Sequence, residues 1–264
     1  MLSRRDFLKL GGAAFLAAAF GNLDLAQADS TQALPLPIYH GSRLYPRIAV
    51  TFDDCWHPEV LAQLNDMLTP YPDFHFTFFA VGDAMVIDET VRPGIWKQLF
   101  ERGHEIGYHT MHHFDPIVMS SKEMIADFDE WMNTLQHILG FKPEVHFARP
   151  PGDDFTSSFQ TLCRERGLVA TLFSIGYEAP NTDDGLLNAS HTQNGDIVQM
   201  HTYEDPNNNR LDVSITAKVL PYLAGQGFKL VTMTELYNDV LREQNSSNGC
   251  NIGTGESLTR SCLD

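Results

Sequence analysis

The side chains of this sequence that are best suited to chemistry are aspartates, histidines and one arginine, which lie far apart along the chain. They are Asp53, Asp54, His109, His113, Arg149 and His201. Two imidazoles and one carboxylate can bind zinc or a similar divalent ion and leave one coordination position open for water. The residue types therefore indicate a metal site that activates water.

The spacing of the two histidines is weak support when it is taken alone. His109 and His113 are four residues apart, which puts both rings on one helical face or one tight turn. With 11 histidines in 264 residues, chance gives about half such a pair per chain. In the alternative interpretation these are surface histidines, and Asp53 and Asp54 cap the next helix. The adjacent carboxylates at an equivalent strand end favour the metal site.

Short apolar runs alternate with helical stretches and predict the elements that position these residues. About seven strands are predicted, at residues 47–52, 76–81, 105–108, 145–148, 169–173, 197–200 and 229–232. Helices are predicted at residues 58–68, 92–101, 121–139, 156–165, 213–224 and 234–241. The helix at 121–139 is the clearest, because Ser120 or Ser121 can cap its start and Gly140 follows its end.

This alternation favours an α/β fold, in which helices cover a parallel sheet as an incomplete (β/α) barrel or a doubly wound sheet. Periodicity does not distinguish the two. In both architectures functional groups gather at the carboxyl ends of the strands. The residues named above follow the first, third, fourth and sixth predicted strands directly, so they are expected on one rim.

Four motifs at these strand ends resemble those of a known family. They read Thr51-Phe52-Asp53-Asp54, His109-Thr110-Met111-His112-His113, Arg149-Pro150-Pro151 and Gln199-Met200-His201. In order and spacing they resemble the NodB-type polysaccharide deacetylases, carbohydrate esterase family 4, over residues 47–241. The resemblance implies a distorted, incomplete (β/α) barrel with about seven strands. It also implies a metal-dependent hydrolase that removes N-acetyl or O-acetyl groups from a polysaccharide or cell-wall glycan.

The resemblance further implies a role for each residue. The expected ligands of a divalent metal ion, with zinc favoured over cobalt or nickel, are Asp54, His109 and His113. The expected catalytic residues are the general base Asp53, its orienting partner Arg149 and the general acid His201. The expected substrate contacts are Trp56, Tyr108, Gly152 and Tyr177. His112 is expected to point away from the metal.

The sequence departs from the family pattern at three places. Cys55 stands where Gly commonly follows the paired aspartates, and Gly152 stands where an aromatic residue usually follows the Arg-Pro-Pro motif. The fifth strand end, residues 171–177, lacks the carboxylate that supports the catalytic histidine in the family. Unless a residue such as Asp183 or Asp184 folds back to replace it, the pKa of His201 is expected near its ordinary value of about 6.5.

The first 28 residues have the layout of a bacterial export signal. Adjacent arginines in Ser3-Arg4-Arg5-Asp6-Phe7-Leu8-Lys9 precede a short apolar run, and Ala26-Gln27-Ala28 marks a cleavage site. This order resembles a twin-arginine signal, so the export machinery is an expected partner and the periplasm or the cell exterior the expected location. The rest divides into an extended lead-in at 29–46, a catalytic domain at 47–241 and a polar tail at 242–264.

Composition narrows the range of partners. The 18 basic and 34 acidic residues give a net charge of -16, which repels nucleic acid and anionic lipid. The apolar run of the signal is too short to span a bilayer, so no stable membrane insertion is expected. An acetylated glycan is the expected substrate. Cys250 and Cys262 are the expected disulfide pair, and Cys55 and Cys163 are expected to be buried free thiols.

Two other functions remain open on the sequence. One is hydrolysis of small amides or imides on the same scaffold, against which the export signal counts. The other is a non-catalytic glycan-binding protein that kept the metal site, an alternative motivated by the missing carboxylate. The presence of Asp53, Arg149 and His201 together argues against it, because a binding protein needs neither a base nor an acid beside a metal.

Overall fold

The computed structural model describes residues 36–247. The expected export signal and the cysteines Cys250 and Cys262 therefore lie outside the described residues. Residues 36–240 belong to one compact unit, and residues 241–247 are the described part of a second. Within residues 36–247, none of the helices combines the length and the apolar character that crossing a bilayer requires.

An eight-stranded sheet forms the centre of the fold, and every pairing within it is parallel. Its strands are β1 (Arg47–Asp54), β2 (Thr77–Ala80), β3 (Glu105–Tyr108), β4 (Phe147–Ala148), β5 (Val169–Ala170), β6 (Ile175–Gly176), β7 (Ile197–His201) and β10 (Lys229–Leu230). Their order is β5-β4-β3-β2-β1-β7-β6, and β10 pairs with the first residues of β1. A separate antiparallel hairpin consists of β8 (Glu204–Asp205) and β9 (Arg210–Leu211).

The two edges of this sheet come from one stretch of chain. β5 pairs with β4 at one edge, and β6, only a few residues later, pairs with β7 at the other. The backbone N–H of Thr171 still bonds to Ala148, whereas that of Ser174 bonds to Ile197. The sheet must therefore curl until its edges approach each other, which confirms the predicted distorted, incomplete (β/α) barrel. The prediction of a single strand at 169–173 is wrong, because the chain changes its pairing partner there.

Eight helices within the described residues cover the sheet. They are α1 (Pro58–Met67), α2 (Gly82–Val91), α3 (Ile95–Glu101), α4 (Ser121–Leu139), α5 (Ser157–Arg166), α6 (Thr182–Ala189), α7 (Asp212–Gly225) and α8 (Met233–Ser247). The observed bounds of α4 agree with the predicted helix at 121–139. Ser120 and Glu123 form a reciprocal capping box at its start, and Gly140 ends it with a φ of 80°, a left-handed conformation that glycine adopts without steric cost.

Alternation along β1 sends side chains to two separate cores. Val50 and Phe52 pack in the large core between the sheet and the helices. Ala49 belongs to a second, smaller apolar cluster. Thr51 and Asp53 share its face of the strand, because successive side chains of a strand point to opposite faces. The face of β1 that carries Ala49 therefore becomes polar toward the carboxyl end of the strand, at Thr51 and Asp53.

The lead-in is part of the barrel unit rather than a free extension. Ile38 forms a bridge with Thr171, and His40 forms one with Asp196. The guanidinium of Arg43 contacts the buried Asp196 carboxylate at 2.5 Å. The predicted domain boundary at residue 47 therefore falls inside a segment that pairs with the sheet.

Candidate metal centre and active site

The carboxyl ends of four strands bring the polar residues together. Asp53 and Asp54 end β1, His201 ends β7, and His109 and Arg149 directly follow β3 and β4. In the β1–β7 register, Asp53 lies directly opposite His201. The rim expected from the sequence is thus present in the structure.

Asp54, His109 and His113 form a compact cluster of metal-ligating atoms. One ligand atom from each lies within 4.8 Å of the other two. The Oδ1 atom of Asp54 is 3.0 Å from Nε2 of His113 and 3.4 Å from Nε2 of His109. Asp54 and His109 are buried, whereas the His113 side chain is 40% exposed, so the cluster is open to solvent on one side.

The donor set fits a divalent cation. Nδ1 of His109 lies 2.8 Å from the carbonyl oxygen of Arg149, and because a carbonyl only accepts, Nδ1 carries the proton and Nε2 presents a lone pair. That lone pair faces Oδ1 of Asp54, a buried oxygen that receives no hydrogen bond. Two facing acceptors are stabilised by a cation between them, and two imidazoles with one carboxylate leave a position for water.

A tight turn, not a helix, carries the two ligand histidines. Thr110 and His113 have positive φ values of 65° and 56°, which side chains other than glycine adopt at a steric cost. The carboxylate of Asp127 on α4 holds the turn by accepting the backbone N–H of Met111 at 2.7 Å. His112 points outward to Asp83 at 2.9 Å, as expected for a residue outside the metal cluster.

Asp53 is buried and held through both of its oxygens. Arg149 donates to Oδ1 at 2.7 Å, and the side-chain amide of Gln199 donates to Oδ2 at 2.9 Å. Arg149 is fully buried and also bonds to Thr51 at 2.7 Å and to the carbonyl of Leu172 at 3.0 Å. Because β4 and β1 are not neighbours in the sheet, this guanidinium reaches across the inside of the barrel.

His201 has an acidic partner that the sequence motifs did not predict. Nδ1 of His201 lies 2.6 Å from the carboxylate of Glu178. Burial lowers the pKa of His201, but the Glu178 hydrogen bond and the charges of Asp53, Glu178 and Asp54 outweigh burial and raise that pKa to about 9. An ordinary pKa for His201 was expected only if no residue replaced the missing carboxylate, and Glu178 replaces it.

Neither of the two aspartates that were expected to replace the missing carboxylate reaches His201. Asp183 pairs with Lys218, and Asp184 accepts from the side chain of its own helix cap, Asn181. Glu178 lies just two residues after Gly176, in the same stretch as the family's fifth motif. The chain changes its pairing partner between β5 and β6, and the supporting carboxylate follows β6 rather than β5.

The expected substrate contacts divide into two groups. Trp56 is half-buried and Gly152 is exposed beside the rim, with a φ of 63° at Gly152. Tyr108 and Tyr177, in contrast, are almost completely buried. Their expected role in contacting substrate is corrected, because each ring is buried in the core and each hydroxyl is hydrogen-bonded there.

The partners that occupy these two hydroxyls are structural. Tyr108 donates to Asp127 at 2.5 Å, and Tyr177 shares a hydrogen bond with Thr192 at 2.6 Å. Tyr203, which follows β7, is instead at the site, and its hydroxyl donates to Oδ2 of Asp54 at 3.1 Å. Its position two residues after His201 was the available signal.

Cys55 keeps the backbone shape that its position requires. Its φ is 68°, a left-handed value that explains why glycine suits the position after paired aspartates. The thiol is free and buried, as predicted, and so is that of Cys163. Because the Cys55 side chain points into the core, it does not narrow the entrance to the site.

Comparison with known proteins identifies the family. A family model described as Polysaccharide deacetylase matches residues 41–165. A peptidoglycan-N-acetylglucosamine deacetylase from Bacillus cereus is 30% identical over 202 residues, which cover 72% of this chain and 87% of that relative.

Solved structures share the fold. A CE4 family pseudoenzyme from Bacillus anthracis matches with a TM-score of 0.67 and 21% identity, covering 78% of this chain and 70% of that one. A family 4 acetyl xylan esterase from Clostridium thermocellum, in complex with a cobalt ion, matches with a TM-score of 0.61 and 23% identity, covering 72% and 90%. Sequence, fold and site agree: the chain belongs to the polysaccharide deacetylase family, carbohydrate esterase family 4, and is a glycan deacetylase.

Proposed function

We propose that this protein removes N-acetyl groups from a bacterial cell-wall glycan, with a divalent metal ion at Asp54, His109 and His113. The observation that supports this proposal most strongly is that Asp53 and His201 lie opposite each other on the neighbouring strands β1 and β7, beside the cluster of metal-ligating residues. The Bacillus cereus relative is named for peptidoglycan N-acetylglucosamine, and this supports the same glycan here.

The metal supplies Lewis-acid chemistry when bound, because it lowers the pKa of a coordinated water and polarises the acetyl carbonyl. The chain's own residues prepare the site for it. Arg149 orients His109 through its carbonyl oxygen, and Tyr203 orients Asp54 through its hydroxyl. Such outer contacts fix the direction of the ligand atoms. Zinc is the ion we favour for this set of ligands.

Asp53 acts as the general base. Arg149 and Gln199 each donate to one of its oxygens, which fixes the plane of the carboxylate and balances its charge in a buried position. Each oxygen keeps a lone pair, so the carboxylate accepts a proton from the attacking water. Positioned proton transfer of this kind contributes about 10²- to 10⁴-fold to a rate.

His201 acts as the general acid on the other side of the acetyl group. Glu178 holds Nδ1, so Nε2 is the nitrogen that donates a proton to the departing amine. With a pKa of about 9, the imidazole is protonated at neutral pH and ready to donate. Amide hydrolysis requires this step because, without a proton, the nitrogen would have to depart as an amide anion, which is a poor leaving group.

The two alternative functions are less well supported. The Bacillus anthracis neighbour is described as a pseudoenzyme, so the fold alone does not establish turnover. This chain, however, combines a held base, a protonated imidazole and a ligand cluster, which a glycan-binding protein does not need. A small-amide hydrolase would use the same groups, and only its substrate would differ.

Export through the twin-arginine route to the periplasm or the cell exterior remains part of the proposal. It is supported by the sequence Ser3-Arg4-Arg5-Asp6-Phe7-Leu8-Lys9 and by the location of the proposed substrate. Replacing Arg4 and Arg5 together with Lys preserves charge but removes the receptor-read signal. The precursor should then stay inside the cell, and normal secretion would contradict this route.

The proposed function is tested by acetate release from purified protein on a panel of substrates. The panel contains peptidoglycan, chitin oligomers, acetylated xylan and a cyclic imide, each with zinc and with a chelator. We expect zinc-dependent release from peptidoglycan or chitin oligomers. Turnover of the imide alone would favour the small-molecule hydrolase, and binding of glycan without turnover of any substrate would favour the non-catalytic alternative.

A further inference from the structure

An open pocket of about 500 Å³ lies beside the catalytic acid, and the proposed reaction steps leave it unused. One of its walls is Glu178, whose carboxylate lies 2.6 Å from Nδ1 of His201. The β8–β9 hairpin supplies the polar residues of another wall, which are Asn208, Asn209 and Arg210. Pockets that bind small ligands have volumes of about 300 to 1,000 Å³, so this one is large enough to accept part of a glycan.

The hairpin that forms this wall is held in place at both ends. The backbone N–H of Tyr203 donates to Oδ2 of Asp212 at 3.0 Å, and the N–H of Asp212 donates to the carbonyl of Tyr203 at 3.0 Å. Next to this pair, the carboxylate of Glu204 accepts the backbone N–H of Ser214 on α7 at 3.1 Å. The hairpin therefore presents Arg210 to the pocket from a fixed backbone.

The guanidinium of Arg210 lies one aromatic ring away from the metal cluster. Its central carbon is 4.7 Å from the centre of the Tyr203 ring, and the hydroxyl of that ring donates to Oδ2 of Asp54 at 3.1 Å. A cation over the face of an aromatic ring is attracted by the electrons of the ring. The guanidinium is thus positioned beside the reaction centre, where it can contact a part of the substrate other than the acetyl group.

Arg210 differs from the other arginines of the barrel unit, because its guanidinium has no hydrogen-bond partner. Within residues 36–240, every other arginine donates to a carboxylate or to a backbone carbonyl, namely Arg43, Arg47, Arg92, Arg102, Arg149, Arg164 and Arg166. The guanidinium of Arg210 is exposed and forms neither a hydrogen bond nor an ion pair with any residue that the structure describes. Its five N–H donors are available to a ligand.

The acidic groups around the pocket are occupied by other partners. Asp205 lies opposite Arg210 in the register of the hairpin, but its two oxygens accept the side-chain amide of Asn208 at 2.6 Å and a backbone N–H of the hairpin turn at 3.0 Å. The Glu178 carboxylate contacts His201. The positive charge of Arg210 is therefore not paired, in a chain whose net charge is -16.

We propose that Arg210 binds a carboxylate of the substrate, which makes this pocket a subsite for an anionic glycan. The proposal rests on the proposed function and narrows its substrate to glycans that carry a carboxylate next to the sugar that is deacetylated. A guanidinium fits a carboxylate because its planar fork donates two parallel hydrogen bonds. In peptidoglycan this carboxylate can belong to the lactyl group of the neighbouring muramic acid or to the stem peptide attached there, whereas chitin has neither.

Substrate selectivity tests the subsite. Peptidoglycan strands with stem peptides, and strands without them, are each assayed with free carboxylates and with the carboxylates converted to methyl amides. We expect the wild type to show kcat/KM about fivefold higher for a free-carboxylate strand than for its neutral form, the effect of one exposed ion pair. Arg210→Gln should abolish this ratio, and Arg210→Lys should keep part of it, because it retains the charge without the fork.

The two strand types identify which carboxylate is bound. A preference seen on strands without stem peptides assigns the lactyl carboxylate, and a preference confined to strands with stem peptides assigns the peptide. A wild type that prefers neither free-carboxylate strand, or a preference that survives in Arg210→Gln, would overturn the proposal. Because each ratio compares two substrates on one variant, a loss of folded protein or of bound metal lowers both values and cancels.

Arg166→Gln is the matched control for the loss of one positive charge. Arg166 is an exposed arginine of α5 that contacts Asp129 on α4, and it is not part of the pocket or the rim. Its variant should keep the selectivity of the wild type. The same loss of selectivity in Arg166→Gln would show that overall charge, and not the pocket, attracts the anionic strands, and this would contradict the proposal.

Equilibrium binding separates a failure of the subsite from a failure of the proposed function. Calorimetry with zinc present measures the Kd of the same strands for Asp53→Asn, which keeps the ligand residues, and for the double variant with Arg210→Gln. We expect free-carboxylate strands to bind about fivefold more tightly than neutral ones, less so at high NaCl, and equally in the double variant. Equal Kd values in Asp53→Asn would overturn the subsite even if the wild type releases acetate. A preference that depends on Arg210, without acetate release by the wild type, would support the subsite and contradict the proposed function.

Discussion

The contact between His201 and Glu178 sets the protonation state of the rim imidazole. A general acid works only in its protonated form, and Glu178 stabilises that form with its negative charge. With the pKa of His201 at about 9, kcat/KM should stay high through neutral pH and fall as pH rises through that value.

Replacing Glu178 with Gln should move this basic limb toward lower pH. The substitution keeps an oxygen acceptor near Nδ1 but removes the charge, so the pKa of His201 should approach its ordinary value of about 6.5. The measurement is kcat/KM against pH on one active glycan. Asp184→Asn is the control, since Asp184 contacts Asn181 and not His201. An unchanged limb in Glu178→Gln would mean that His201 is not the acid or that Glu178 does not set its pKa.

At this scale the sequence predicted the residues that follow long, strongly apolar strands. Asp53, Asp54 and His201 end such strands, so their place on the rim followed from strand polarity. Glu178 did not follow, because β5 and β6 have two residues each and the break between them shifts the stretch that carries it. Tyr177 was misassigned for a different reason, because nothing in its spacing shows which way its ring points.

The metal turn depends on helix α4 for its shape. Asp127 accepts from the Met111 backbone at 2.7 Å and from the Tyr108 hydroxyl at 2.5 Å. Met111 lies between the two ligand histidines, so this carboxylate ties their turn to a rigid element. The positive φ values at Thr110 and His113 show why a turn of this shape needs such support, because left-handed backbone costs about 1 to 2 kcal/mol per residue.

Asp127→Ala should therefore weaken metal binding without removing a ligand. We expect the zinc Kd to rise about 10- to 100-fold, the range found when outer contacts of ligands are lost, and competition with a fluorescent chelator measures it. Asn133→Ala, an exposed change on the same helix, should leave the Kd unaltered. Equal zinc affinity in Asp127→Ala and wild type would show that the turn holds its shape unaided.

Elements were predicted where local signals and periodicity agreed. α4 has a capping box, an amphipathic face and a terminal glycine, and its bounds were predicted correctly. α2 begins at Gly82 with no side-chain cap, and α6 is a short helix between loops, so neither was predicted. The helix predicted from Arg92 begins at Ile95, since Gly94 precedes it in a left-handed conformation with a φ of 85°.

The barrel as a whole is completed by the lead-in. Residues 38–43 bridge to Thr171 and Asp196, close to the point where the chain passes from one sheet edge to the other. The sequence predicted an extended segment here because prolines and weak periodicity describe it locally. Its pairing with the sheet could not be predicted, since the partner residues are more than 100 positions away and carry no local signal.

A chain that starts at Arg47 should be less stable than one that starts at Leu36. The shorter chain loses Arg43 from the buried Asp196 carboxylate and the backbone bonds of Ile38 to Ala170 and Leu172. Loss of a partner from one buried polar group costs about 1 to 3 kcal/mol, so we expect a free energy of unfolding lower by at least that amount in urea titrations. Equal unfolding midpoints would show that the lead-in is dispensable.

The adjacent aspartates Asp53 and Asp54 have different proposed roles, and comparing them tests the proposed chemistry most directly. The variants Asp53→Asn and Asp54→Asn make the same change at neighbouring positions of β1. For both variants, the measurement is the amount of zinc bound per chain together with the rate of acetate release. Asp53→Asn should keep one zinc and lose about 10²-fold or more in turnover, as expected for a missing general base, whereas Asp54→Asn should lose both zinc and turnover. Full zinc in Asp54→Asn, or near wild-type turnover in Asp53→Asn, would contradict the division of metal ligand and base.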